Sequence, residues 1–239
     1  ETDGQLLFLT TPHPYRMSDI ATVKVGAVSG CDAIFADPLH ANRDFVYSAT
    51  VRTGKTRRMF FPDADTPPEW LLPHKERLMA RRVRAFDETN WWHWGRIHPQ
   101  TDAPRIYVNA KTRAPRPFFL HPCRDFDGSV LAIFPHDPTV DLAALCDALN
   151  DVDWDELGFC CHGRFLFTQR SLEKAPLPEG FNRFLAKPKP MAPADAANAH
   201  DHPVLRDQKR YCSSPALNCG IDRADFGADR PFSNQTLGS

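Results

Sequence analysis

The apolar run IATVKVGAV, residues 20–28, stops at the short stretch SGCD and resumes as AIF. This pattern predicts a strand that ends in a tight turn, with Gly30 supplying backbone angles that other residues avoid. A phosphate cradle does not fit the same residues. A Walker loop needs four residues between its glycines and then Lys-Ser/Thr, whereas Gly26 and Gly30 are closer together and Cys31 stands where the lysine belongs. A dinucleotide fingerprint needs three glycines opening a helix, and two are present.

Further elements follow from periodicity. DGSVLAIFP, residues 127–135, reads as a buried strand entered through an Asp-Gly turn. Leu142, Leu145, Cys146 and Leu149 recur at i, i+3, i+4 and i+7, which predicts a helix docking one face on the core. Asp137 and Pro138 are expected as its N-cap and first-turn pair. RIYVN and GRFLFT read as short strands. Together these predict an α+β fold: mixed sheet elements with a few packed helices. The expected boundary places a domain over residues 1–185. From residue 186 the sequence turns to KPKPMAPADAANAHDHP, a Pro/Ala-rich linker and tail of uncertain structure.

At 239 residues the chain is long enough for one large or two small domains. No run approaches the roughly 18 apolar residues of a membrane span, and no basic segment followed by an apolar core opens the chain, so neither a membrane partner nor a signal peptide is expected. The first residue is Glu, which points to an excerpt of a longer protein. Seven cysteines are an odd number, so a reducing, cytoplasmic setting fits better than a disulfide scaffold. Cys160, Cys161 and His162 cluster, but no C-x-x-C pair exists, and Cys212 and Cys219 lie in the tail. Free thiols are expected, with no metal.

The net charge of −1 conceals an asymmetry, because residues 52–124 hold fifteen Lys and Arg against seven Asp and Glu. Charge alone leaves open a polyanion-binding face or a solvated surface. Within the block, Arg52, Lys55, Arg57 and Arg58 surround a glycine turn. HKERLMARRVRAF then predicts a helix after Pro73, with Leu78, Met79, Val83 and Phe86 in one arc and Arg77, Arg81 and Arg84 opposite. Three arginines on one exposed face suit successive phosphates. Trp91, Trp92 and Trp94 follow, either as core anchors or as supports for distorted DNA. Lys111, Arg113 and Arg116 stand in a proline-bearing loop expected to point outward.

No catalytic constellation is present. G-x-S-x-G is absent, and the Asn/Asp-Pro-Pro-aromatic segment of amino-group methylation has only the near misses TPHPY and ADPLH. Asp125 and Asp127 in RDFDG are candidates for a divalent ion, although turn chemistry explains an Asp-Gly entry better.

VKVGAVSGCDAIF resembles the segment G-x-V-[ST]-G-x-[ND]-x-x-F that opens the target-recognition region of many N6-adenine DNA methyltransferases of restriction–modification systems. The matching residues are Gly26, Val28, Ser29, Gly30, Asp32 and Phe35. SATVRTGKTRRMFF, NWWHWGR, RIYVNAKTRAPRPFF and GRFLFTQRSLEKAPLP are similar to the rest of that region in the same order, over roughly residues 20–180. The resemblance implies sequence-specific recognition of double-stranded DNA. It also implies a separate or fused catalytic domain that binds S-adenosylmethionine, with no cofactor held by this chain. The glycines then shape the junction and first hairpin of a DNA-reading domain. A metal-dependent nuclease and a non-enzymatic RNA-binding module are the rival expectations.

Overall fold

The structure is a computed structural model in which residues 11–97 and 101–186 are described. Four antiparallel strands make its central sheet, in the spatial order Ala21–Val25, Val130–Pro135, Ile106–Asn109, Phe118–Phe119. The fold is α+β, as the mixture of periodicities predicts. The second and third of these strands pair Ile106 with Ile133 and Asn109 with Val130. Side chains alternate across the pleat. Ile106, Val108, Leu131 and Ile133 therefore join one apolar cluster, and Tyr107, Val130 and Ala132 join another on the opposite face. Burial on both faces is why LAIF reads as an unbroken apolar run.

The first cluster is closed by the helix Leu142–Asn150, which buries Leu145, Cys146 and Leu149. Each leucine so buried contributes about 1.5–3 kcal/mol. The N-cap of this helix is Asp141, whose carboxylate accepts from the amides of Ala143 and Ala144 at 2.9 and 3.1 Å. The expected cap, Asp137, instead closes a preceding turn by accepting from the Thr139 amide at 2.9 Å. A cap must lie next to the first helical residue to reach the orphan amides, and Asp141 is the carboxylate that does.

A third cluster is built around the hairpin Arg43–Phe45 with Arg57–Met59. It gathers Ile34, Phe35, Phe45, Met59, Leu71 and Leu78 with Trp91, Trp92 and Trp94. Trp94 stacks on Phe45 at a centroid distance of 4.8 Å and donates its indole N–H to the Phe60 carbonyl at 3.0 Å. The tryptophans are 2, 5 and 2 % exposed in chain order. Of the two roles open to them, core anchoring is what their burial supports; no indole face is left for a base.

The helix expected after Pro73 is much shorter than its periodicity suggests. A 3₁₀ segment, Glu69–His74, leads into one α-helical turn, Lys75–Met79, and the helix then ends. Arg81 leaves it and turns inward, so Arg77, Arg81 and Arg84 do not form one exposed row. Tertiary contacts with the tryptophan segment override local propensity here.

The tail from residue 186 onward, except Ala186 itself, lies outside the described residues, and so do Cys212 and Cys219. Among the described residues no helix is long and apolar enough to cross a membrane.

Candidate nucleic-acid interface

The glycine-bearing motif is a structural knot. A Cβ on Gly26 would lie 2.1 Å from the Asp127 carbonyl oxygen, so the backbone of residues 26–27 lies against that of 126–127 only because Gly26 has no side chain. Ala27 donates to the Phe126 carbonyl at 2.9 Å and seals that approach. Gly30 adopts φ +77°, the left-handed turn expected of it. Ser29 is buried, and its hydroxyl bonds the Asp32 carboxylate and accepts from the Cys31 amide. Phe35 is fully buried beside Trp94. None of these residues is placed to hold a nucleotide.

Two arginines expected at phosphates belong to this knot. Arg57 reaches Asp32 at 2.8 Å and Asp127 at 2.7 Å through the same terminal nitrogen. Asp127 also caps its own turn by accepting from the Ser129 amide and hydroxyl. Its carboxylate is thus engaged in turn and ion-pair contacts. Arg81 is only 8 % exposed. It donates to the carbonyls of Leu78 at 2.7 Å, Ser29 at 2.6 Å and Trp91. Burial pulls its pKa down to about 10, which leaves it a cation at neutral pH. Arg81 is correctly read as a polar strut joining three segments rather than as a phosphate contact.

The remaining cations fall into two groups. Lys55, Arg58, Arg77 and Arg84 are exposed at separate places on the chain, with Arg58 donating to the Ala41 carbonyl. Arg52, Lys111, Arg113 and Arg116 instead line one cleft of about 880 Å³, joined by Arg164. Three segments meet there. The helical turn Thr50–Thr53 carries Arg52 and is closed by Gly54 at φ +65°. Lys111–Thr112 and the loop after it carry Lys111, Arg113 and Arg116. The hairpin Cys160–Cys161 with Arg164–Leu166 carries Arg164, and it docks through the register Phe165 to Thr112 and Leu166 to Lys111. Its two-residue turn has positive φ at both His162 and Gly163, 51° and 68°, matching the twist of a tight hairpin.

The cleft lining contains no carboxylate, imidazole or thiol. Arg116 is held from outside by Asp147 at 2.7 Å and Asp151 at 3.4 Å. Arg52, Lys111, Arg113 and Arg164 have no carboxylate partner among the described residues. Four such cations in one concavity make a strongly positive field that a polyanion relieves. The lining offers no general acid or base and no anionic ligand for a divalent ion, so the cleft is equipped for binding.

Asn109 is the one fully buried residue of the lining, at 3 % exposure. Its amide N–H donates to the Ser48 carbonyl at 2.7 Å and ties the Arg52 segment to the central sheet. Its Oδ1 has no hydrogen-bond partner. A buried acceptor left unpaired costs on the order of 1–3 kcal/mol. Neither Asn109 nor Arg164 stood out in the sequence. The faint signals are a polar residue closing the apolar strand RIYVN and a cation directly after the hairpin glycine.

No protein-family model matches the chain, and no curated protein matches it. The five described cysteines are free thiols, and burial pushes the Cys146 thiol up to about 11. Cys161 and His162 touch at 3.1 Å, but no group of three metal-ligating residues is assembled among the described residues.

Proposed function

We propose that this chain is the double-stranded DNA target-recognition part of a site-specific N6-adenine DNA methyltransferase of a restriction–modification system, working in the cytoplasm. Methyl transfer from S-adenosylmethionine belongs to a catalytic domain, fused or separate. The observation that carries the reading is the cleft, which gathers four carboxylate-free cations from three distant segments into an acid-free concavity. Phosphates position such a protein on a duplex and base contacts give it specificity. The ordered resemblance over residues 20–180 supplies the duplex and the methyltransferase setting, and the motif residues that carry it form the knot beside the hairpin.

The test is a competition binding assay on the full chain with duplex DNA, duplex RNA and single strands, alongside calorimetric titration with S-adenosylmethionine. Preference for duplex DNA and no stoichiometric cofactor binding are expected. Preference for RNA would favour the RNA-binding module, because A-form grooves present different contacts. Stoichiometric cofactor binding would overturn the division of labour.

A further inference from the structure

We propose that Asn109 reads the amino and ring-nitrogen edge of an adenine that projects into the basic cleft, an inference that rests on the DNA-recognition reading above. A side-chain amide has one acceptor oxygen and two N–H donors. In Asn109 one donor is committed to Ser48 at 2.7 Å, and this bond fixes which way the amide faces. What remains is an unpartnered Oδ1 beside one N–H. That pair is complementary to adenine, whose N6 amino group donates and whose N7 accepts. Guanine and thymine would place an acceptor oxygen against Oδ1. Cytosine offers the amino donor but a C–H where the second contact is needed.

Depth decides how the base arrives. Asn109 is buried below a rim formed by Arg52, Lys111 and Arg113, all exposed. A stacked base in a regular duplex presents only a groove edge, whereas an unstacked base extends from the backbone and enters a pocket. The cleft volume of about 880 Å³ falls within the range of small-ligand sites, and the rim cations sit where the flanking phosphates of such a nucleotide would pass.

The experiment starts with enrichment of a binding site from a randomised duplex pool by the full chain. Each adenine of that site is then replaced in turn by purine, which lacks the 6-amino group, and by 7-deazaadenine, which lacks N7. At one adenine both replacements are expected to weaken binding on the order of tenfold, and Asn109→Ala should abolish both penalties while keeping the salt dependence of binding. Asn109→Asp retains an acceptor and should keep only the 6-amino penalty, a second readout if the alanine variant fails to fold. Mismatching that adenine's partner should tighten binding, since unpairing is then already done. If a site is enriched but no adenine shows penalties that depend on residue 109, or mismatching weakens binding, the inference is overturned and the DNA reading stands. A chain that enriches nothing removes both.

Discussion

Arg57 and Asp127 meet at 2.7 Å across seventy residues of sequence, joining the hairpin strand Arg57–Met59 to the turn that enters the central strand Val130–Pro135. Asp127 is buried and Arg57 about a third exposed at its side chain. Removing one partner strands the other's charge in a poorly solvated position.

Asp127→Ala is therefore expected to destabilise the chain by about 2–4 kcal/mol, since it also frees the Ser129 contacts. Arg57→Ala should cost about as much, and the double variant little more than either one alone. Urea unfolding of the three variants gives the coupling between the two sites. Additive losses would show that the pair does not act as a unit.

Arg81 makes a sharper case, because three backbone carbonyls from separate segments depend on one guanidinium. Arg81→Ala should destabilise by roughly 3 kcal/mol or more, as buried acceptors lose their donors. Lysine cannot reproduce the planar fork, so Arg81→Lys should rescue little of it. Thermal unfolding measures both. A variant that keeps its melting point yet loses DNA affinity would return Arg81 to the phosphate-contact role.

Arg81 also shows where the sequence is legible and where it is not. Leu145, Cys146 and Leu149 announce their helix because its core face is a local period, and Gly30 announces its turn because few other residues tolerate φ +77°. Lys111, Arg113 and Arg116 read correctly as an outward loop, since proline keeps that segment out of the sheet. Arg77, Arg81 and Arg84 have equally good helical spacing, yet Arg81 is drawn inward by carbonyls that lie 52 and 10 residues away in sequence. Periodicity carries no information about such partners. Asn109 was invisible for the related reason that an unpartnered oxygen is a property of the packed sheet.

His93 gives a pH dependence with a definite sign. Burial is the main cause holding its imidazole below the ordinary value of 6.5, and Arg84 adds to it against the pull of Asp65. The native chain thus resists protonation that the unfolded chain accepts, and the stability due to this group is complete above about pH 6.5 and is lost as pH falls through the lower native value. His93→Gln should flatten the decline in melting temperature below pH 6.5. An unchanged profile would place the titrating group elsewhere.

The cleft predicts a graded response to salt. If Arg52, Lys111, Arg113 and Arg164 each neutralise one phosphate, log K against log salt should have a slope near −3.5 on duplex DNA, at roughly −0.9 per contact. Each single alanine variant at these positions should reduce the slope by about 0.9 and weaken binding at low salt. Arg77→Ala is the control, because Arg77 is exposed but outside the cleft, and it should leave the slope unchanged. Arg113→Ala carries a further expectation, since its proline-bounded loop is suited to entering a groove. It should cost on the order of 1–3 kcal/mol on an enriched site and relax preference at one position. Anisotropy titrations across a salt series, with the enriched duplex and its single-base variants, read both quantities. If Arg77→Ala and Arg113→Ala change the slope equally, charge is spread over the whole surface and the cleft has no privileged place in binding.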